Sequence, residues 1–213
     1  MFITIEGGEG AGKSTSIEFI ENYLKKAGKT VLVTREPGGT AVGEKLRGIL
    51  LDAKQQNIDA STELLLMFAA RNQHIVEIIQ PALDAGKWVI CDRFTDATYA
   101  YQGGGRNINT QRIGILEDWV QGELRPDMTL LLDISVEAGL ERARERNVLD
   151  RFEQEETEFF ERVRACYLEM AAASPNRYRI IDAAQTIGLV QKQISHVLDT
   201  IIRETVVDRT EKG

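Results

Sequence analysis

Short apolar runs alternate with longer amphipathic stretches along this chain. Five runs are compact and almost continuously apolar: residues 2–6, 30–34, 88–91, 128–133 and 178–182. They predict strands covered on both faces, because a strand with one wet face would alternate apolar and polar residues. Between them, apolar residues recur three and four positions apart. This spacing predicts helices over 13–27, 43–51, 60–85, 110–122, 136–146, 157–173 and 186–203. In the first helix Ile17, Phe19, Ile20, Tyr23 and Leu24 fall on one side, and Gly28 follows as a stop. Pro81 lies inside the 60–85 segment and should kink or divide it, since proline removes a ladder hydrogen bond. Residues 208–213 read as a frayed polar tail. The regular exchange of strand and helix predicts one α/β domain: a five-stranded parallel sheet flanked by helices in three layers. Ligands of such sheets bind beyond the carboxyl ends of the strands. There the chain sets Glu6-Gly7-Gly8, Arg35-Glu36-Pro37-Gly38-Gly39, Asp92-Arg93 and Asp133.

Composition narrows the classes of function. The 213 residues hold 26 Lys+Arg against 33 Asp+Glu, a net charge of −7, which argues against a globally basic nucleic-acid binder. No apolar run approaches the roughly 20 residues of a membrane span, and the N-terminus opens into the first strand with no secretory pattern. A cytoplasmic protein with no membrane and no nucleic-acid partner is expected. Cys91 and Cys166 are too few for a disulfide framework or zinc site and read as reduced core thiols. His74 and His196 lack partners at ligand or triad spacing and read as structural; Trp88 and Trp119 read as packing residues.

The strongest chemical signal is Gly7-Gly8-Glu9-Gly10-Ala11-Gly12-Lys13-Ser14, followed by Thr15, set between an apolar strand and an amphipathic helix. This is the phosphate-loop pattern. Glycines let the backbone curl so that successive N–H groups face phosphate oxygens, and the helix that follows adds the positive end of its dipole. Lys13 supplies a cation for the outer phosphates, and Ser14 a hydroxyl for Mg²⁺. The loop implies a nucleoside triphosphate with Mg²⁺ and leaves the acceptor open. Water would make a switch or motor; a small molecule would make a kinase. No Asn-Lys-x-Asp guanine-reading stretch is present, which disfavours a GTPase.

Arginines suggest the acceptor. Arg47, Arg71 and Arg93 precede a cluster of Arg142, Arg144, Arg146 and Arg151. Bringing a triphosphate against a monophosphate requires fixed cations, and guanidinium binds phosphate bidentately without losing its charge. An anionic acceptor oxygen needs no strong general base, so positioning and charge neutralisation suffice. Arg93 stands out because Asp92-Arg93 ends a buried strand at the active edge. Asp92 is placed to hold Mg²⁺ directly or through water. Asp133 also ends a strand but is placed to cap the next helix, and it stays outside the catalytic set.

Four further motifs carry a resemblance. Thr34-Arg35-Glu36-Pro37-Gly38-Gly39-Thr40, Asp92-Arg93-Phe94, Ala100-Tyr101-Gln102-Gly103-Gly104 and Leu149-Asp150-Arg151-Phe152-Glu153-Gln154-Glu155 are similar, in order and spacing, to bacterial thymidylate kinases. The resemblance implies a P-loop NTP hydrolase-type fold with a lid over about residues 142–156. It implies ATP-dependent phosphorylation of dTMP to dTDP, with homodimerisation. It assigns Glu9 to the neighbourhood of the acceptor sugar, and Arg47 and Arg93 to the dTMP phosphate. Arg71, Thr98 and Gln102 go to the base, and Tyr101 to exclusion of a 2′-hydroxyl. Phe68 is the expected stacking ring, although Met67 holds the family's usual position four residues before the arginine. With no arginine inside the phosphate loop, the resemblance places charge stabilisation on the lid, with Arg146 and Arg151 as the expected catalytic arginines and Arg142 and Arg144 more on a solvated helix face. A cis bond before Pro37 is left open.

Overall fold

The computed structural model describes residues 1–54, 58–144 and 150–211, with residues 206–211 described by backbone alone. Five parallel strands form one sheet: β1 (Phe2–Glu6), β2 (Val31–Arg35), β3 (Trp88–Asp92), β4 (Met128–Asp133) and β5 (Tyr178–Asp182). Their spatial order is β2-β3-β1-β4-β5, with Ile3 opposite both Ile90 and Met128. The chain leaves β1 for the β2 edge and later crosses to β4 on the other side. A crevice therefore opens at the carboxyl end of β1, where the two halves of the sheet diverge.

Period-two alternation divides the core. Ile3, Ile5, Leu130 and Leu132 face helices α1 (Lys13–Lys26) and α9 (Ile187–Glu211), meeting Ile20, Leu24, Ile194 and Leu198. Leu131 points the other way, into Phe159, Phe160, Val163 and Tyr167 of α8 (Thr157–Ala173). Phe2, Val89 and Cys91 meet Ile75 and Ile79 on that same opposite side of the sheet. The central strands β1, β3 and β4 are buried on both faces, whereas the edge strands β2 and β5 are only partly covered.

The remaining helices are α2 (Ala41–Leu51), α3 (Ala60–His74), α4 (Gln80–Asp84), α5 (Thr95–Thr98), α6 (Thr110–Gln121) and α7 (Val136–Arg144). The break expected at Pro81 is a π-helical turn, Ile75–Ile79, just ahead of it. The proline ring displaces the carbonyl four residues back, and the ladder widens there. A second π-helical stretch, Tyr99–Gly105, follows α5 and was not anticipated. Its glycines permit α8 to press close: a Cβ on Gly105 would stand 2.4 Å from the Phe159 ring. Two expectations are corrected here. Residues expected as a frayed tail are helical as far as Glu211. Trp119, expected to pack, is 82% exposed on α6. Among the described residues no helix is long and apolar enough to cross a membrane.

Candidate active site

The phosphate loop runs from the end of β1 into α1. Gly12 stands at the helix start with φ 84° and no side-chain cap, so the first amides of α1 remain open to an anion. Gly10, at φ 67°, could not carry a side chain: its Cβ would lie 1.9 Å from the Gly139 carbonyl oxygen of α7. Loop and α7 are therefore locked backbone to backbone. Lys13 Nζ donates to the carbonyls of Gly7 at 3.2 Å and Gly8 at 3.1 Å. Burial, and then the charge of Arg93, lowers its pKa.

A cavity of about 530 Å³ opens above the loop, beyond the ends of β1 and β3. Asp92 and Arg93 reach it from β3. Asp92 Oδ1 is buried and has no hydrogen-bond partner among the described residues. Arg93 takes the left-handed conformation, φ 66°, which turns its side chain back across the site. Its Nη2 donates to Glu9 Oε1 at 2.6 Å, and its guanidinium lies 4.7 Å from the Tyr101 ring centre. The Tyr101 hydroxyl donates to the same Glu9 oxygen at 2.7 Å. Burial opposes the charge of Arg93, but Tyr101 and Glu9 more than offset it and raise its pKa well above the ordinary value. Beneath this triad Glu6 accepts from the Phe94 amide and the Tyr167 hydroxyl, each at 2.7 Å. Burial, and then Asp96, pushes the Glu6 pKa up to about 8.

The far end of the cavity is built on Arg71, from α3. Its Nε donates to Glu36 at 2.7 Å and its Nη2 to Thr98 at 2.9 Å, while Nη1 is buried without a partner among the described residues. His74 Nδ1 lies 2.9 Å from the other Glu36 oxygen, and its Nε2 2.6 Å from Thr34 Oγ1. The Glu36–Pro37 bond is cis, and Arg47 Nη1 donates to the Pro37 carbonyl at 2.9 Å. Gln102 lines the cavity and donates through Nε2 to Glu63 at 2.8 Å.

Most of the expected residues meet here. Glu9, Gly10, Ala11, Gly12, Lys13, Ser14 and Thr15 line the cavity with Arg47, Arg71, Asp92, Arg93, Thr98, Tyr101 and Gln102. Gly7 and Gly8 instead border a narrow crevice of about 20 Å³ beneath the loop. Three assignments are corrected. Phe68 is buried against Leu64 and Ile113 and does not line the cavity; Met67, one residue earlier, does. Successive residues of a helix point about 100° apart, so Met67 turns to the cavity while the Phe68 ring turns toward α6 and fills the core there. Arg151 also does not line the cavity. It is buried, with Nη2 2.5 Å from Glu63 and Nε donating to the Leu50 carbonyl at 2.8 Å, so its donors are directed into the protein. Arg142, expected on a solvated face, lines the cavity and donates to the Ala183 carbonyl at 3.0 Å. Arg146 lies outside the described residues. Sequence reasoning gave no role to Glu36, Glu63 or Glu6. Glu6 and Glu36 stood out only as carboxylates at the carboxyl ends of strands, and Glu63 only as a carboxylate beside the apolar run Leu64-Leu65-Leu66-Met67-Phe68. Asp133, left out of the catalytic set, pairs with Arg164 at 2.8 Å.

A family model described as thymidylate kinase matches residues 5–194. A curated thymidylate kinase of Pseudomonas savastanoi pv. phaseolicola is 55% identical over 202 residues, covering 95% of this chain and 96% of the relative. One from Pseudomonas entomophila has the same identity and coverage. The crystal structure of thymidylate kinase from Ehrlichia chaffeensis superposes with a TM-score of 0.76 at 36% identity, covering 93% of this chain and 98% of that one.

Proposed function

The chain belongs to the thymidylate kinase family, and from that premise we propose how its own residues carry out the phosphorylation of dTMP to dTDP by ATP. One observation carries the reading. The phosphate loop, Arg47 and Arg93 line one cavity, with Arg93 tied to the loop through Glu9, so two polyanions can be held against each other there. The loop amides, Lys13, Ser14 and Thr15 hold the ATP phosphates at the start of α1. Arg47 and Arg93 grip the dTMP phosphate, whose oxygen is already anionic and needs no strong base. Glu9 is tied to Arg93 and Tyr101 and accepts from the sugar hydroxyl rather than removing the attacking proton. Tyr101, a neutral phenol because burial raises its pKa, closes the space beside the sugar and disfavours a 2′-hydroxyl. Met67 packs against the base, while the open Nη1 of Arg71, Thr98 and Gln102 read its edge. Arg142, not Arg151, faces the donor side.

Ser14 and Asp92 fit Mg²⁺. The buried Asp92 Oδ1 lacks a partner among the described residues and borders the cavity that Ser14 also lines. A divalent cation there would neutralise charge on the transferred phosphoryl group. The protein acts as a homodimer in this proposal. Helices α3 and α6 pack on each other through Leu64, Phe68 and Ile113. They carry exposed Leu65, Ile115 and Trp119, an apolar surface suited to a second copy.

ATP consumption measured against dTMP, dUMP, dCMP, dGMP and AMP tests the substrate assignment. Strong stimulation by dTMP is expected. Equal stimulation by AMP or dGMP, or none by dTMP, would remove the pyrimidine from the cavity.

A further inference from the structure

Glu63 is fully buried on α3 and is not among the residues lining the cavity. Three side chains converge on it. Gln102 Nε2 donates to Oε1 at 2.8 Å, and Arg151 Nη2 lies 2.5 Å from Oε2. Arg106 approaches both oxygens at 3.4 Å while pairing with Glu155 at 2.6 Å. A carboxylate offers acceptors only. The Gln102 amide must therefore turn its NH₂ inward to Glu63, which leaves Oε1 as the polar atom it can present to the cavity. That oxygen accepts no hydrogen bond among the described residues.

We infer that Glu63 is a positioning residue for base selection: it fixes which end of the Gln102 amide meets the pyrimidine. The inference rests on the proposed seating of the base against Arg71, Thr98 and Gln102. An acceptor at Gln102 beside a donor at Arg71 Nη1 matches a ring that presents N3–H next to a carbonyl, as thymine and uracil do. Cytosine presents a bare N3 next to an amino group and is mismatched at both places. Buried polar groups left unpaired make such a mismatch costly. An amide free to rotate would relieve the mismatch at N3, so selectivity depends on the group that holds the amide still. Arg151 and Arg106 supply the counter-charge of that group, Arg151 on Oε2 and not on the Oε1 that holds Gln102, and the backbone N–H of Arg151 donates to the Leu51 carbonyl at 3.2 Å.

The test is the ratio of kcat/KM for dTMP to that for dCMP. Glu63→Gln puts an amide opposite Gln102 that satisfies either orientation, and the ratio is expected to fall by at least about tenfold, the worth of one good hydrogen bond. Glu63→Asp keeps the charge for the two arginines and draws it back by one methylene, so it gives the same direction of change should Glu63→Gln fold poorly. Arg151→Gln leaves the Glu63–Gln102 bond in place and keeps the ratio even where both rates drop. Folded Glu63 variants that slow dTMP and dCMP in proportion would overturn the inference, as would an equal collapse of the ratio in Arg151→Gln. Gln102→Leu separates the two levels of the argument. If it leaves KM for dTMP unchanged, the seating of the base is wrong. If it raises KM while Glu63→Gln keeps the ratio, only the role of Glu63 is wrong.

Discussion

Arg93→Ala is the perturbation that bears most directly on the acceptor end. Arginine and alanine both carry a Cβ, so the backbone cost of φ 66° is the same in parent and variant. What changes is the guanidinium. In the free protein it gives one short charge-assisted bond to Glu9 at 2.6 Å, a long one to the Tyr167 hydroxyl at 3.4 Å, and a face on Tyr101. Both partners of the ion pair keep 16% exposure, and Glu9 retains the Tyr101 hydroxyl, so the loss in stability should be about 1–2 kcal/mol. For a domain of this size that lowers Tm by roughly 2–8 °C. With dTMP bound the loss is larger. One or two charge-assisted bonds to phosphate vanish at about 1.5–3 kcal/mol each, and Glu9 then faces the dianion without its counter-charge. The sum, roughly 3–6 kcal/mol, corresponds to a fall of about 10²–10⁴ in kcat/KM for dTMP. The assay couples ADP release to NADH oxidation, with ATP affinity measured separately by calorimetry and expected to change little. Arg93→Lys keeps the charge but not the fork and should fall between. A folded Arg93→Ala protein with kcat/KM within about threefold of the parent would refute the assignment of Arg93 to the phosphate.

Three other perturbations discriminate among the remaining arguments. Arg151→Ala breaks a buried pair with Glu63 and should cost about 3–5 kcal/mol of stability, read as denaturant midpoint. Its turnover well below Tm should fall far less than that of Arg93→Ala, and the opposite ranking would return Arg151 to the substrate. Glu6 holds a proton in the folded protein up to about pH 8 but only to about 4.5 when unfolded. The stability it contributes is therefore complete below 4.5 and is lost as pH climbs through 8. Glu6→Gln lacks this titration, so its stability relative to the parent should rise by a few kcal/mol between about pH 5 and 9, and parallel unfolding curves would contradict the raised pKa. Trp119→Glu places a charge on the exposed α3–α6 face. Light scattering should show half the parent's mass; an unchanged mass would move the dimer contact elsewhere.

What was legible in the sequence was whatever depends on neighbours along the chain. The runs 2–6, 128–133 and 178–182 coincide with β1, β4 and β5: β1 and β4 are covered on both faces and read as nearly unbroken apolar runs, and the edge strand β5 keeps the apolar Tyr178, Ile180 and Ile181 in a short run. The phosphate loop was legible because its chemistry resides in consecutive backbone amides. Residues 95–105 were not assigned, since three successive glycines argue against any helix; contact with α8 holds Tyr99–Gly105 in a helical form that propensity disfavours. The polar framework was equally hidden. Arg71 and its Glu36 are 35 positions apart, and Arg151 and its Glu63 are 88 apart, with no local pattern linking them.

The different placement of Arg142 and Arg151 follows from the same physics. Both lie near the expected lid, and position along the chain cannot separate them. Their surroundings can. Arg151 meets a buried carboxylate and a helix-end carbonyl, and in a dry interior it must satisfy its charge there. The arginines that line the cavity are instead anchored by part of the guanidinium: Arg142 on the Ala183 carbonyl, Arg47 on the Pro37 carbonyl, and Arg71 on Glu36 and Thr98. An arginine held this way has already lost side-chain freedom on folding and still has N–H groups to offer. It can meet an incoming phosphate or carbonyl at a smaller entropic cost than a free side chain could. The carboxylates and carbonyls that look like competitors for substrate thus fix the side chains that face the cavity: Glu36 holds Arg71, and Glu63 holds Gln102.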